Sequence, residues 1–271
     1  ASAGALPVCD HYCGVEVRIR KSLELQARMS AELGTCVFDV TLDCEDGAPV
    51  GGEADHANMV VALANQAWSA SNSVAPRIAV RVHPVDHPAF ESDVATIVGG
   101  AGGILCHLMI PKVESVADVE TAVRAVDRAS QQSRPQGVLP LHVLVESPGA
   151  VHRAFDIAAH TRVQSISFGL MDFVSAHAGA IPASAMGVHL APGSTELGQF
   201  SHPLVTRAKV DIASACHASG KVPSHCVVTE FNDAAAMKFA ARKAAREFGY
   251  TRMWSIHPNQ IQPILDAFAP D

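Results

Sequence analysis

Residues 38–49 read FDVTLDCEDGAP. An apolar, strand-like run closes on three carboxylates, Asp43, Glu45 and Asp46. The same arrangement recurs along the chain. IAVRVHP (78–84) ends on Arg81 and His83, and CHLMIPKVES (106–115) on Lys112 and Glu114. LHVLVESPG (141–149) ends on Glu146, SISFGLMDF (165–173) on Gly169 and Asp172, and MWSIHPNQ (253–260) on His257 and Gln260. Polar groups thus gather just past the carboxyl ends of successive buried strands. In a closed parallel barrel those ends share one mouth, where catalytic groups sit. Helix capping is the plain alternative for any one of them: Glu114 and Ser115 suit a helix start near Val116, and Asp46-Gly47 suits a turn. Capping does not account for six strand ends together.

Between these ends, apolar runs alternate with helical stretches. Strands are predicted at Leu6–Cys9, Cys36–Leu42, Ile78–Val82, Ile104–Ile110, Leu141–Val145, Val163–Phe168, Val222–Val228 and Met253–Ile256. Helices are predicted at Lys21–Leu33, Val116–Ala129, Val151–Ala159 and Asp233–Phe248, the last with its basic residues toward the end that suits the helix dipole. Such alternation implies parallel strands with right-handed crossovers, and eight of them suggest closure. An open doubly wound sheet competes. It carries a Gly-rich loop after its first strand, whereas CDHYCG (9–14) follows the first strand here, and GGAGG (99–103) precedes a strand. The expected fold is therefore an α/β, TIM-like (β/α)₈ barrel, one domain over residues 1–271.

Composition agrees. The 271 residues are 48% hydrophobic but only 5% aromatic, and one such barrel takes roughly 250 residues. A net charge of −7 without a basic run argues against nucleic acid or an anionic membrane as the main partner. Seven scattered cysteines without a CxxC read as free thiols of a reducing cytoplasm. No apolar run is long enough to span a membrane.

Glu146 and Asp172 fall at the ends of neighbouring strands. Two carboxylates brought together repel unless a cation lies between them, and oxygen-only ligands favour a hard ion such as Mg²⁺ or Mn²⁺ over Zn²⁺. A salt bridge from Glu146 to Arg81 is the structural alternative. Arg81 is placed to grip a substrate carboxylate with its planar fork, and pairing with Asp43 or Glu45 is compatible with that. The fourteen histidines form no HExxH. His83 and His87 make one HxxxH, but Pro84 and Pro88 argue against a helix, so the rings need not share a face. His11, His107, His202, His217 and His225 are scattered and read as surface or supporting residues. No GxSxG marks a serine hydrolase.

LDCEDG (42–47), RVH (81–83), PKVE (111–114), VES (145–147), FGLMD (168–172) and IHPNQ (256–260) occur in order, within a match running from about residue 36 to 268. In this the chain resembles the citrate lyase beta-subunit-like proteins of the HpcH/HpaI aldolase superfamily. The resemblance implies a TIM-like barrel assembled as a homo-oligomer, a trimer or its multiple. It implies Mg²⁺ on Glu146 and Asp172, and the substrate carboxylate on Arg81. Asp43, Glu45 and Asp46 match the acidic strand end beside the metal. Lys112, Gly169, Met171 and Asp172 are read as further substrate contacts, and Asp43, Glu45 and Arg81 as catalytic. The implied reaction cleaves a malyl-, citramalyl- or citryl-CoA type thioester into a 2-oxo acid and an acyl thioester. A class II pyruvate aldolase, an acyl-CoA thioesterase and a non-catalytic metabolite-binding subunit are the alternatives. Asp43, Glu45 through a water, and His83 are open candidates for the acid–base group. Two departures stand out: AGALPVCDH (3–11) has no Arg where the family has R-S-x-L-x-V-P-G, and His83 replaces the family's Asn.

Overall fold

In the computed structural model, residues 5–131, 137–188 and 192–270 are described. Eight strands run β1 (Cys9–Cys13), β2 (Phe38–Asp43), β3 (Ile78–Arg81), β4 (Leu105–Ile110), β5 (Leu141–Val145), β6 (Val163–Phe168), β7 (Val222–His225) and β8 (Arg252–Ser255). They pair in chain order, all parallel, and β8 closes on β1, so the barrel is complete. Around it lie α1 (Glu16–Leu33), α2 (Glu53–Ser69), α3 (Phe90–Ala101), α4 (Val116–Ser130), α5 (Pro148–His152), α6 (Ala154–Ala159), α7 (Leu170–Ser175), α8 (Pro203–Ala218), α9 (Ala234–Arg246) and α10 (Ile261–Phe268). Among the described residues no helix is long and apolar enough to cross a membrane.

Alternation along each strand sorts residues into two environments. Outward residues such as Phe38, Val40 and Leu42 join one core between barrel and helices. Inward residues form three levels. At the amino ends, Asp10, Asp39 and Arg252 are fully buried, and Arg252 Nη2 lies 2.8 Å from Asp39 and 3.2 Å from Asp10. Arg77 closes the same cluster on Asp39 at 2.5 Å. Breaking one partner of such a buried network costs about 3–5 kcal/mol. The middle level is a small apolar cluster of Tyr12, Met109, Leu144, Val227 and Trp254. The upper level is again charged, and it carries the site described below.

Several boundaries differ from expectation: α1 begins at Glu16, not Lys21, and β7 ends at His225, not Val228. β1 is Cys9–Cys13, not Leu6–Cys9, so CDHYC is itself the strand and Gly14 follows it. The helix foreseen at Val151–Ala159 is two short helices that meet at Arg153. Ser147 caps the first by accepting from Ala150 N–H at 3.1 Å, and Pro148 starts it. α9 matches the sequence reading: Asp233 caps it, and Lys243 and Arg246 occupy its last turn. All seven cysteines are free, five of them buried. His11, His107 and His225 are buried, not on the surface. His107 and His142 stack with ring centroids 3.4 Å apart inside the barrel, and burial holds both well below the usual imidazole range.

Candidate active site

The carboxyl ends of the strands open on a cavity of about 710 Å³. Asp43, Asp46, Arg81, Glu146, Gly169, Met171 and Asp172 line it. Tyr12 and Trp254 also line it; their rings stack at 4.5 Å, so the apolar middle level meets the cavity.

All of the charged groups but Asp172 have a traceable support. Asp43 is the last residue of β2 and Arg81 the last of β3, paired across the sheet. Arg81 grips Asp43 through Nε and Nη2, both at 2.8 Å. Nη2 also reaches Asp46 at 3.0 Å, and Nη1 reaches Glu45 at 3.1 Å. The fork of Arg81 is therefore occupied by the acidic loop after β2. The pairing with Asp43 and Glu45 foreseen from sequence is present, whereas Glu146 is not an ion-pair partner of Arg81 among the described residues. Glu146, just past β5, instead accepts from the backbone N–H of Lys112 at 2.8 Å. Lys112 sits at φ 51°, a left-handed conformation costly for a residue with a side chain. Its ammonium lies 3.6 Å from Glu45.

Gly169 connects β6 to α7, where a Cβ would fall on Cγ and Oε1 of Glu146. Glycine is needed there so that the carboxylate can lie against the backbone. Asp172 is in the first turn of α7, not at the strand end itself, and its side chain has no hydrogen-bond or ion-pair partner among the described residues. Glu114 accepts from Ser147 Oγ at 2.8 Å and so ties the loop after β4 to the one after β5. Neither Glu114 nor Ser115 caps α4 through its side chain.

Electrostatics set this end of the barrel apart. Five carboxylates, Asp43, Glu45, Asp46, Glu146 and Asp172, face Arg81 and Lys112. Burial, with Glu45 and Asp172 adding repulsion, pushes the Glu146 carboxyl up to about 8. Burial likewise raises Glu45, although Arg81 opposes it. Burial works against the Lys112 ammonium, but Asp172, Glu45 and Glu146 outweigh it and raise its pKa. Excess negative charge carried on oxygen donors, with Glu146 forced to hold a proton, fits a hard divalent cation at Glu146 and Asp172. The tight trio of metal-type donors among the described residues, Asp39, Cys106 and His107, does not involve the residues of this mouth. Both Asp39 oxygens there are already bonded to guanidinium groups.

His83 does not line the cavity. Its Nδ1 is 2.5 Å from Asp93, and its ring stacks on His87 at 4.2 Å, so those two rings do share a face. The sequence reading missed the stacked floor, Tyr12 and Trp254, and the cations Arg18 and Lys21 of α1 that line the same cavity. Trp254, alternating inward on the run before IHPNQ, carried a signal. Arg18 and Lys21 carried none beyond helical spacing.

The family described as HpcH/HpaI aldolase/citrate lyase matches residues 24–258. The structure is similar to a citrate lyase from Burkholderia xenovorans LB400, with 45% identity, a TM-score of 0.86, and coverage of 100% of this chain and 79% of that one. In sequence the chain is 30% identical over 246 residues to the L-malyl-CoA/beta-methylmalyl-CoA lyase of Cereibacter sphaeroides, covering 85% of this chain and 71% of the relative. The citrate lyase beta subunit of Mycobacterium tuberculosis, complexed with oxaloacetate and magnesium, shares the fold at 21% identity and a TM-score of 0.69, with 98% of each chain covered.

Proposed function

The chain belongs to the HpcH/HpaI aldolase/citrate lyase family and is a carbon–carbon lyase, and from that premise we propose that it cleaves a 3-hydroxy acyl-CoA thioester of the malyl, citramalyl or citryl type into a 2-oxo acid and an acyl thioester, with Mg²⁺ held by Glu146 and Asp172. The observation that carries this reading is the buried Glu146 carboxyl, repelled by its acidic neighbours and opening on the cavity.

Bound there, the cation supplies Lewis acidity toward the substrate's hydroxyl and carboxylate. The chain's own groups do the rest. Asp43 fixes Arg81 by two bonds. Asp46, whose side chain is 81% exposed, is the partner Arg81 can release, and the freed Nη2 N–H then meets the substrate carboxylate. Glu45, set behind the cavity lining, takes the hydroxyl proton through a water. Its buried carboxyl has a raised pKa, and it stands between Arg81 and the Lys112 ammonium. Loss of that proton breaks the bond between the hydroxyl-bearing carbon and the carbon next to the thioester. The electron pair then leaves on the thioester enolate, which takes up one proton, balancing the one removed from the hydroxyl, and becomes the acyl thioester. Gly169 and Met171, which line the cavity, bound the oxo-acid end, and Lys112 stands behind them with its ammonium 3.6 Å from Glu45. The assembly proposed with this reading is a homotrimer or its multiple.

The test is an assay of 2-oxo acid and of free CoA across malyl-, citramalyl- and citryl-CoA, with Mg²⁺ and with a chelator. The lyase reading expects a 2-oxo acid and an acyl thioester in equal amounts, only with the metal. Free CoA without an oxo acid would mark a thioesterase. No turnover with retained oxo-acid binding would mark a non-catalytic subunit.

A further inference from the structure

The run IHPNQ (256–260) folds as a tightly tied turn after β8, and its histidine takes no part in the cleavage steps above. Gln260 is the anchor of the turn. It is buried, accepts from the Ile256 N–H at 2.9 Å and donates to the Val228 carbonyl at 2.7 Å. The His257 carbonyl accepts from Ser255 Oγ at 2.9 Å and from the Gln260 N–H at 3.0 Å. The Asn259 N–H donates to His257 Nδ1 at 3.1 Å. A backbone N–H can only donate, so Nδ1 accepts and the ring's single proton is on Nε2. That N–H has no partner among the described residues. Phe231 stacks on the ring at 5.3 Å and 10°, and both side chains line the cavity.

Cleavage drives an electron pair onto the thioester, and the carbonyl oxygen that shares it calls for a fixed hydrogen-bond donor. The other neutral N–H and O–H donors of the cavity wall are committed elsewhere. Tyr12 gives its hydroxyl proton to Met109 Sδ at 3.0 Å. Both nitrogens of His11 are bonded, to Ser255 and to Ser22. The indole N–H of Trp254 is fully covered. Arg18 and Lys21 are charged but exposed, and no hydrogen bond among the described residues fixes them. Position agrees. β8 lies two strands from β6, which leads into Gly169 and Asp172. In a ring of eight strands on the order of 15 Å across, that separation is about 10 Å, a gap that an imidazole and an acyl limb of a few carbons fill. The floor joins the two sides. Arg81 Cζ lies 5.4 Å from the centre of the Tyr12 ring, and Tyr12 stacks at 4.5 Å on Trp254, three residues before His257.

We infer that the Nε2–H of His257 donates a hydrogen bond to the thioester carbonyl oxygen and stabilises the negative charge that gathers there as the C–C bond breaks. The proton stays on Nε2. The electron pair of the broken bond spreads over the enolate carbon and oxygen, and the carbon takes up its proton separately. The Asn259 N–H and the Phe231 ring are positioning groups that fix the tautomer and the plane of the imidazole. The inference rests on the lyase reading above for the identity of the thioester.

The test compares His257→Leu, which removes the donor, with His257→Gln, whose amide N–H reaches about as far as Nε2. Two rates are measured with Mg²⁺. One is cleavage of the CoA thioester. The other is exchange of the methyl protons of acetyl-CoA with D₂O, which reports enolate formation without cleavage. The expected result is a kcat lower by about a hundredfold or more in His257→Leu, a matching loss of exchange, and recovery of about tenfold in His257→Gln. Calorimetric affinities for Mg²⁺ and for pyruvate stay within about twofold in both variants, since the donor meets only the thioester half. The pH profile of kcat keeps its shape, because His257 passes no proton. Cleavage and exchange in His257→Leu within about threefold of the parent overturn the inference. So does a matching loss of Mg²⁺ or pyruvate affinity, which marks a purely structural histidine. An inflection in the pH profile that disappears in His257→Gln overturns it too, by making His257 a proton carrier. A parent that exchanges but does not cleave, with exchange lost in His257→Leu, defeats the lyase reading and upholds the donor. A parent that does neither defeats both.

Discussion

The Glu146 carboxylate hangs on the backbone N–H of Lys112, 2.8 Å away, and Lys112 reaches that position only by adopting φ 51°. A left-handed residue with a side chain costs about 1–2 kcal/mol. That local strain sits where the chain turns from β4 to bring a donor onto the carboxylate after β5. The support is thus a backbone group, indifferent to the identity of the side chain but not to the presence of the N–H.

Lys112→Gly and Lys112→Pro separate these roles. Glycine keeps the N–H and adopts the left-handed conformation freely, so Mg²⁺ affinity should stay within about threefold of the parent. Proline removes the donor and cannot take that φ, so affinity should fall by about tenfold or more. Calorimetric Mg²⁺ titration of both variants checks this. Equal affinities would show that the N–H does not hold Glu146.

Gly169→Ala places a methyl where Glu146 now lies. The carboxylate must move, because the rest of the turn from β6 to α7 is backbone. Overpacking of this kind costs about 1–3 kcal/mol, so the melting temperature should drop by several degrees while the barrel still folds. Turnover and Mg²⁺ affinity should fall far more than stability does. A variant that melts early but binds and turns over as the parent does would free Gly169 of any role at the site.

The raised Glu146 carboxyl makes stability and metal binding depend on pH in opposite directions. In the metal-free protein the proton on Glu146 favours the folded state fully below its ordinary value of 4.5, and this contribution is lost as pH rises through about 8. A divalent cation needs the carboxylate, so below about 8 it must displace that proton. Mg²⁺ affinity should therefore fall by up to about tenfold per pH unit below that value, with proton release on binding. Thermal melts with and without Mg²⁺ should diverge increasingly as pH rises across the window. A metal-induced stabilisation that is flat over the same range would contradict the account.

Much of this was legible in the sequence because the outward faces of the strands are apolar. β2, β4, β5 and β6 fall within a few residues of their expected spans since Val, Ile and Leu alternate with the inward groups. β1 was misplaced for the opposite reason. Its inward residues, Asp10 and Tyr12, belong to the buried ion network and to the aromatic floor, so CDHYC reads as a loop while the apolar LPVC before it reads as a strand. The break at Arg153 was hidden because Val151–Ala159 keeps helical spacing across it. The motif carboxylates could be assigned to one mouth from strand ends alone. That Arg81 would hold all three of Asp43, Glu45 and Asp46, and Asp43 by two bonds, could not be assigned, because the three are equivalent in charge and only the register of β2 on β3 puts Asp43 opposite Arg81.

The central claim is that Glu146 holds the cation on which cleavage depends, and Mg²⁺ titration of Glu146→Gln tests it most directly. The substitution keeps shape and a carbonyl oxygen for the Lys112 N–H but removes the negative charge. The account expects Mg²⁺ affinity lower by about a hundredfold, no proton release on any residual binding, and a melting curve close to that of the metal-free parent. Mg²⁺ binding equal to the parent in heat, affinity and proton release would contradict it.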